Sequence, residues 1–279
     1  MLSVDNTLQR KKLELKNKIR SIAIGSFDGL HIAHKTLIDK ADAIVIIERN
    51  SGYLTPGYKR SLYTDKPCFF YHFDKIKSLT PESFVSRLKE DFQHLEKIIV
   101  GYDFAFGKAK SGTADHLDEL FDGEVFIVEE VSIDGIPVHS RTIKAYLREG
   151  KVKMANKLLG RRYSIDGEVV AGQGLGKKEL VPTLNLYVDH YQLPLEGVYA
   201  TRTKIKNKWF SSVSFLGHRV TTDGSYAVET HVIDKDIGEV IGGVVIEFIS
   251  FIRENQKFDG LDDLKKRIQN DIDMARKIV

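Results

Sequence analysis

The stretch SIAIGSFDGLHIAH, residues 21–34, joins a short apolar run to a turn that contains two glycines and two histidines. Ser21–Ile24 is apolar almost without interruption, which is typical of a strand buried on both faces of a parallel sheet. Gly25 and Gly29 permit a tight backbone turn, and a helix is predicted to begin near His34. Because α/β folds bind ligands at the carboxyl edge of the sheet, this turn is predicted to be a binding site.

Four further apolar runs with helical patterns between them extend this organisation to about residue 160. The predicted strands are Ala43–Ile47, Phe69–Phe73, Ile98–Val100 and Val125–Val128. Thr80 can cap a helix that starts with Pro81, and a helix over Val152–Leu159 should stop at Gly160. Alternating strands and helices predict an α/β layer domain with a parallel sheet.

The pattern changes after Gly160, where strands follow one another without helices between them. The predicted strands are Tyr163–Val170, Val198–Ile205, Trp209–Phe215, Tyr226–Ile233 and Val244–Ile249. Five or six such strands indicate a small antiparallel barrel. A final amphipathic helix is predicted because apolar residues recur every three or four positions from Leu261 to Ala275. The predicted domains are residues 1–158 and 159–279, an α/β domain followed by a β domain.

Length, charge and cysteine content exclude several classes of protein. The 279 residues suggest about two domains. Lys and Arg number 42 against 39 Asp and Glu, a net charge of +3 that disfavours a protein coating nucleic acid. The single cysteine, Cys68, excludes an internal disulfide and is predicted to be a buried structural thiol. No apolar run approaches the length of a membrane span and no signal peptide is recognised, so a cytoplasmic location without membrane contact is expected.

His31 and His34 are three residues apart, so both imidazoles can point toward one anion. There they could stabilise negative charge that builds on a nucleotide α-phosphate as pyrophosphate leaves. One alternative is a surface turn with two incidental histidines. Another is a metal site, although this pair alone lacks the third and fourth ligands that zinc requires.

A second glycine-rich segment, GQGLGKK at residues 172–178, has glycines at alternate positions. It is not a Walker A loop, because only three residues separate Gly172 from Gly176 and Lys178 occupies the Ser/Thr position. It is not a dinucleotide fingerprint either, because those glycines should open a helix and Pro182 follows soon after. Such a loop between strands can lay its backbone N–H groups along phosphates, although a purely structural glycine turn is the alternative.

Five separated motifs, in the right order, resemble those of one known family. Residues 25–34 resemble the signature GxFDGxHxGH of the nucleotidyltransferase superfamily, and residues 101–107, GYDFAFG, resemble the GYDFxFG segment of prokaryotic bifunctional riboflavin kinase/FAD synthetases. Residues 172–185 fit the family spacing GxGxGxxxxxPTxN, residues 197–200 match GVYA, and Glu229 matches the glutamate of an EVH strand. The resemblance implies a Rossmann-like nucleotidyltransferase domain followed by a riboflavin kinase β-barrel with a terminal helix.

For the first domain the resemblance implies an adenylyltransferase site. His31 and His34 would be catalytic, and Asp103 and Phe104 would bind flavin. ATP and its phosphates would be bound by Gly25, Ser26, Phe27, Asp28, Ser140, Arg141 and Lys144.

For the second domain the resemblance implies a kinase site. Glu229 would be the general base, Thr183 and Asn185 would hold Mg²⁺, and Arg253 would contact the flavin. The phosphates of ATP would be bound by Gly172, Gly174, Gly176 and Lys177. Strand alternation places Glu229 on one face with Ala227 and His231, predicted to be the barrel mouth.

The chain departs from the family pattern at several positions. Ala33 replaces a glycine of the signature, and Lys144 replaces the arginine of the ISSTxIR segment, which loses a bidentate fork while keeping the charge. The FxPHP segment is absent, and residues 48–52 stand in its place. In the NIGxRPT strand, Phe215 and Val220 replace asparagine and proline.

The implied activity is the Mg²⁺- and ATP-dependent phosphorylation of riboflavin to FMN, followed by adenylylation of FMN to FAD with release of pyrophosphate. Riboflavin, FMN and ATP would be its small-molecule partners, without nucleic acid, in a monomer or weak oligomer. The departures keep open a riboflavin kinase whose first domain is weakened or inactive. A non-catalytic flavin-binding regulator with the same fold is the other alternative.

Overall fold

The computed structural model describes residues 14–49, 53–171, 181–219 and 224–279. Within these residues the chain forms two compact units. The N-terminal unit contains the described residues as far as His139 apart from Tyr53 and Leu54, which belong with residues 140–279 in the C-terminal unit.

The N-terminal unit alternates strands and helices. Its elements are β1 (Ser21–Gly25), α1 (Ile32–Ile38), β2 (Ala43–Glu48), β3 (Cys68–His72), α2 (Phe73–Ile76), α3 (Pro81–Asp91), β4 (Lys97–Gly101), β5 (Ala105–Phe106), β6 (Gly112–Thr113), α4 (Ala114–Leu120), β7 (Glu124–Val128), β8 (Ser132–Ile133) and β9 (Ile136–Pro137). The five longer strands form one parallel sheet in the order β3-β2-β1-β4-β7. All five strands predicted for this half are therefore confirmed.

The continuous apolar runs follow from burial of the sheet on both faces. Ile22 and Ile24 of β1 belong to one apolar cluster, and Ala23 between them belongs to a second cluster. Because successive side chains of a strand point to opposite faces, both parities must be apolar when helices and loops cover both sides.

The predicted helix ends are confirmed at two places and shifted at a third. The Thr80 hydroxyl accepts a hydrogen bond from the Ser83 N–H at 3.2 Å, and Pro81 is the first residue of α3. Gly160 ends its helix with φ of +69°, a left-handed conformation that costs glycine little. In contrast, α1 begins at Ile32 rather than near His34, because His31 itself is the N-cap.

Cys68 is less buried than the structural thiol that the sequence predicts. It starts β3, its Sγ lies 3.4 Å from the carbonyl oxygen of Lys66, and the residue is partly buried. Burial raises the pKa of the Cys68 thiol to about 11, so the thiolate is scarce at neutral pH.

The C-terminal unit begins with two helices and continues as a barrel. Its elements are α5 (Ser140–Arg148), α6 (Val152–Leu159), β10 (Tyr163–Val170), β11 (Leu184–Tyr187), β12 (Gly197–Ile205), β13 (Lys208–His218), β14 (Tyr226–Val232), β15 (Gly243–Glu254) and α7 (Leu261–Ile278). The six strands are antiparallel and close into a barrel in the order β10-β11-β14-β13-β12-β15. The predicted barrel and terminal helix are confirmed, with β11 as the strand that the sequence pattern did not single out.

Helices α5 and α6 pack in the same unit as the barrel. The Leu195 N–H donates to the carbonyl oxygen of Leu147 at 2.8 Å, and the Asn156 amide donates to that of Phe248 at 2.9 Å. The sequence boundary at 158/159 places these helices with the first domain. As a boundary between functional domains it stays a prediction.

Buried hydroxyl groups fill part of the barrel interior. The side chains are Thr201, Thr203, Ser212, Ser214 and Thr230, each at most 1% exposed. They form a chain of mutual hydrogen bonds of 2.8–3.0 Å, in which Thr203 contacts both Ser212 and Thr230. A closed network satisfies each hydroxyl without water, which is the condition for burying polar groups at little cost.

We expect Thr203→Val to destabilise the barrel by about 1–3 kcal/mol, because Ser212 and Thr230 each lose a buried partner. Thr203→Ser keeps the hydroxyl and is the matched control, so it should cost clearly less. Urea unfolding followed by the fluorescence of Trp209, the only tryptophan and a residue of β13, measures both changes. Equal losses in the two variants would contradict a role for the hydroxyl network.

The terminal helix α7 covers one side of the barrel. Ile272 and Ala275 pack into an apolar cluster with Val198, Ala200 and Val213 of the strands. Because odd-numbered residues of β13 face this helix while Ser212 and Ser214 face the interior, inner and outer surfaces of the barrel are clearly separated.

Candidate functional sites

Two of the sequence motifs meet at one edge of the parallel sheet. Residues 25–31 follow β1 and residues 102–104 follow β4, and these two strands are neighbours in the sheet. The chain runs from β1 to β2 on one side while β4 lies on the other, so the strand order reverses between β1 and β4. Such a switch point at the carboxyl ends of parallel strands forms the crevice in which α/β proteins bind ligands.

The turn after β1 is held in an unusual backbone conformation. Phe27 and Leu30 have φ of +48° and +38°, values that only glycine adopts easily, and Gly29 lies between them at +90°. Both side chains are buried to within 1% of full burial, so packing fixes the turn despite the strain. Strain maintained in this way is common at functional sites.

The imidazoles of His31 and His34 stack face to face, with ring centroids 3.5 Å apart and planes inclined by 16°. The His31 Nδ1 accepts a hydrogen bond from the His34 N–H at 3.3 Å, so the neutral ring carries its proton on Nε2. A neutral imidazole with its proton on Nε2 can donate a hydrogen bond to a phosphate oxygen. The pair therefore fits a phosphate better than a cation, and in the described part of the chain no cluster of three or more His, Cys, Asp or Glu could hold a metal ion.

The predicted phosphate contacts of this turn divide into side chains that face outward and side chains that do not. Gly25 ends β1 and Ser26 is exposed, whereas Phe27 and Asp28 are buried. The Asp28 carboxylate accepts a hydrogen bond from the Thr55 N–H at 3.1 Å and thereby holds a neighbouring loop. Since a carboxylate repels phosphate, Phe27 and Asp28 can contribute to a phosphate site through their backbone and their packing.

Asp103 and Phe104 lie in the turn after β4, and their side chains are used differently. Asp103 is exposed. The Phe104 ring stacks on Phe106 with centroids 5.5 Å apart and packs against the core of the unit. Asp103 is thus available to a ligand, while Phe104 presents only part of its ring.

A buried ion pair forms at Glu48, the first residue of the segment that stands in place of FxPHP. Glu48 ends β2, and its carboxylate pairs with the guanidinium of Arg60, which has no exposed surface. The sequence gives no signal for Arg60, because the segment GYKRSLY at residues 57–63 has the composition of a surface turn. Breaking this pair would leave an unpaired charge in the protein interior. We therefore infer that Arg60 maintains the local structure at this edge of the sheet.

Ser140 and Arg141 lie in the first turn of α5, and Lys144 begins the second turn. Arg141 and Lys144 are three residues apart and share one side of the helix, where Arg141 is exposed and Lys144 is half-buried. Two cations at one position of the helix surface are compatible with an anion-binding role. These residues belong to the C-terminal unit.

The predicted general base and a predicted metal ligand are direct neighbours on the barrel. Glu229 of β14 pairs with Asn185 of β11 in the strand register. Thr183 precedes Asn185 by two residues, so an extended chain places both on one face. Thr230 points into the barrel, where it bonds to Thr203, so Glu229 and Asn185 lie on the outer surface. The predicted position of Glu229 at the barrel mouth stays a prediction.

Arg219 links these two residues, and the sequence pattern gave no role to it. Its Nε donates to Glu229 Oε1 at 2.6 Å, and its Nη2 donates to Asn185 Oδ1 at 2.6 Å. Its Nη1 donates to the Ser225 hydroxyl at 2.8 Å. The position of Arg219 in the NIGxRPT-like strand was the only signal that could have drawn attention to it.

The oxygen atoms near Glu229 are suitable ligands for Mg²⁺. Asn185 offers an amide oxygen and Thr183 a hydroxyl, and Mg²⁺ prefers hard oxygen ligands while keeping waters and phosphate oxygens. The predicted phosphate loop of Gly172, Gly174, Gly176 and Lys177 lies outside the described residues.

The contacts of Arg253 lead to the terminal helix α7. Its Nε and Nη2 donate to the Asp271 carboxylate of α7 at 2.7–3.0 Å, and Asp271 is 3% exposed. The planar guanidinium matches both carboxylate oxygens. The described geometry therefore makes Arg253 an anchor for the terminal helix, and its predicted flavin contact stays a prediction.

Comparison with known proteins identifies the family. The sequence model described as riboflavin kinase matches residues 159–279, and the model described as FAD synthetase matches residues 62–142. The bifunctional riboflavin kinase/FMN adenylyltransferase of Haemophilus influenzae is 29% identical over 92% of this chain and 93% of that protein. The same-named protein of Listeria monocytogenes is 26% identical over 91% of this chain and 90% of that protein.

The chain belongs to the bifunctional riboflavin kinase/FMN adenylyltransferase family.

Family membership accounts for the order of the sites along the chain. The riboflavin kinase match contains Asn185, Arg219 and Glu229, and the FAD synthetase match contains the turn at Asp103. Among solved structures, one described as a macrolide-efflux protein from Streptococcus pneumoniae has a TM-score of 0.81 at 26% identity, covering 94% of this chain and 96% of that chain. In the described ranges of this family member, no helix has the length and apolar character needed to cross a membrane.

Proposed function

We propose that the chain phosphorylates riboflavin to FMN with ATP and then adenylylates FMN to FAD with release of pyrophosphate. The observation that carries the proposal is the pairing of Glu229 with Asn185 across β14 and β11, inside the segment that matches riboflavin kinases. A carboxylate beside neutral oxygen donors suits the transfer of a phosphoryl group to a hydroxyl.

In the kinase step, Glu229 would orient the ribityl 5′-hydroxyl of riboflavin and accept its proton. The hydroxyl oxygen attacks the γ-phosphorus of ATP in line, the bond to the β,γ-bridging oxygen breaks, and ADP leaves. Thr183 and Asn185 would hold Mg²⁺, which when bound neutralises charge on the phosphates. Positioning supplies most of the rate in such transfers, so the backbone pairing that fixes Glu229 beside Asn185 matters as much as its basicity.

In the adenylyl step, an FMN phosphate oxygen attacks the α-phosphorus of ATP, and pyrophosphate leaves. His31 would donate from Nε2 to the α-phosphate as charge builds there, because its Nδ1 is already an acceptor. His34 would share that charge through the stacked arrangement. The exposed Asp103 on the neighbouring turn would contact the flavin-bearing substrate.

The proposal assigns residues 1–158 to adenylyl transfer and residues 159–279 to phosphorylation. It includes Gly25, Ser26, Ser140, Arg141 and Lys144 as contacts for ATP in the first reaction centre, and Arg253 near the flavin in the second. A cytoplasmic enzyme that works as a monomer or weak oligomer, without nucleic acid, completes it.

A riboflavin kinase with a weakened adenylyltransferase site is the second candidate. It is favoured by the Glu48–Arg60 pair in place of the FxPHP segment and by Lys144 in place of an arginine. A lysine is a point charge and cannot grip two phosphate oxygens as a guanidinium does.

One assay separates the candidates. Purified protein is incubated with riboflavin, ATP and Mg²⁺, and FMN and FAD are resolved by chromatography over time. FAD formation supports the bifunctional proposal, and FMN without FAD supports the second candidate. Formation of neither product would overturn both and favour a flavin-binding regulator.

A further inference from the structure

The guanidinium of Arg219 occupies the space between Asn185 and Glu229 on the outer face of the barrel. It donates through different nitrogens to Asn185 Oδ1 and Glu229 Oε1, each at 2.6 Å, and through a third to Ser225 Oγ at 2.8 Å. We call this set of contacts the Arg219 clamp. A guanidinium has no acceptor atom, so the contact requires that the amide of Asn185 turn its oxygen toward it.

The backbone at Arg219 is also held in place by hydrogen bonds. Its backbone N–H donates to the Ser225 carbonyl oxygen at 2.9 Å, and its own carbonyl oxygen accepts from the Gly224 N–H at 3.1 Å. The side chains of Arg219 and Glu229 are only 19% and 22% exposed. A short, partly buried pair on a fixed backbone is held more firmly than a surface ion pair.

The clamp engages the two oxygens that the proposed kinase reaction needs. Asn185 Oδ1 would be a ligand of Mg²⁺, and the Glu229 carboxylate would take the proton of the attacking hydroxyl. Asn185 Oδ1 has two lone pairs, but a guanidinium nitrogen 2.6 Å away and a Mg²⁺ ion on the same oxygen would be two cations in close proximity, and they repel each other. The Glu229 carboxylate has a second oxygen that can act while Nε holds the first.

We propose that Arg219 is a positioning residue that orients Glu229 and acts as a placeholder cation at Asn185, from which Mg²⁺ displaces it. This inference rests on the proposed kinase function. Contact with Glu229 persists during the reaction and keeps the carboxylate directed at the substrate. Contact with Asn185 is given up when the metal arrives with ATP, so the clamp weakens metal binding and improves turnover.

Two effects of opposite sign follow from this division of roles. In Arg219→Met the Mg²⁺ concentration for half-maximal FMN formation should fall about fivefold, since one competing hydrogen bond is gone. The kcat for FMN formation should fall about tenfold, since Glu229 loses its orienting partner. Damage to the fold would weaken both parameters together.

Arg219→Lys separates the effect of the guanidinium hydrogen bonds from the effect of the positive charge. A lysine keeps the positive charge but offers a single nitrogen, which cannot reach both oxygens in the geometry of the fork. If the lysine pairs with Glu229, the Mg²⁺ concentration for half-maximal FMN formation should fall as in Arg219→Met, while kcat recovers in part. Arg202→Met, which removes a cation stacked over Trp209 elsewhere on the barrel, is the control and should change neither parameter.

Binding of Mn²⁺ gives a readout that does not depend on turnover. Full-length wild type and variants are titrated with Mn²⁺ in the presence of ADP, and free Mn²⁺ is counted by electron paramagnetic resonance. Part of the Mn²⁺ binding should depend on Asn185 and be lost in Asn185→Ala. The affinity of this Asn185-dependent binding should rise about fivefold in both Arg219 variants and remain unchanged in Arg202→Met. Unchanged or weaker Mn²⁺ binding in Arg219→Met, or absence of any Asn185-dependent component, would overturn the placeholder role.

The result for the clamp is distinguishable from that for the kinase itself. Wild type that forms FMN while Arg219→Met shows no gain in metal affinity refutes the clamp and leaves the kinase intact. Wild type that forms no FMN refutes the kinase, and the clamp with it.

Discussion

Glu229→Gln is expected to lower the rate of FMN formation from riboflavin by about a hundredfold or more, a typical contribution of a positioned general base. Glutamine keeps an oxygen that can accept from Arg219 Nε, so the fold of the barrel surface should persist. It cannot take a proton from the ribityl hydroxyl. The measurement is the initial rate of FMN formation with saturating ATP and Mg²⁺.

Conversion of supplied FMN to FAD by the same variant should match wild type, because Glu229 belongs to the C-terminal unit and the stacked histidines to the other. Glu239→Gln changes an exposed glutamate of the same unit and is the control that should leave both reactions unaltered. Parallel loss of both activities in Glu229→Gln would argue against separate sites.

His31→Ala is expected to give the reverse pattern. FMN adenylylation should fall about a hundredfold to a thousandfold, the usual effect of deleting a donor to developing charge. The N-cap contact to the His34 N–H is lost with the ring, and a thermal melt separates that structural effect from the chemical one. Initial rates of FAD formation from FMN and ATP provide the measurement.

Two controls define the result. His94→Ala removes an exposed histidine of the same unit and should leave the rate unchanged. Replacing His31 with asparagine retains a capping group and a donor, so it should preserve the melting temperature and recover part of the rate. An undiminished FAD yield from His31→Ala would rule out its proposed role at the α-phosphate.

Much of the architecture could be predicted because periodicity reports burial directly. Residues 22–24 are apolar on both faces of the strand, and the sheet is indeed covered on both sides. Strand β11 was not predicted, since four residues of mixed polarity after Pro182 carry too short a pattern. The start of α1 was misplaced because a histidine is an unusual N-cap.

Only those residues of the candidate sites could be predicted that belong to a motif within one short segment of the sequence. The turn after β1, Asn185 and Glu229 each belong to a motif of a few consecutive residues, and each motif can be recognised by itself. Arg219 and Arg60 act through partners 10 to 34 residues away in sequence, and such contacts leave no periodic signal. Nothing in the sequence indicates that Arg253 pairs with Asp271 of the terminal helix, and its flavin contact stays a prediction.

The most direct test of two independent sites mixes the two variants. Glu229→Gln and His31→Ala, each supplied alone with riboflavin, ATP and Mg²⁺, should form little FAD within the time in which wild type completes the reaction. Combined in one tube they should form FAD at a rate near that of the slower intact site, because FMN released by one protein is used by the other. Failure of the mixture to exceed the sum of its parts, while each variant remains folded, would contradict the account.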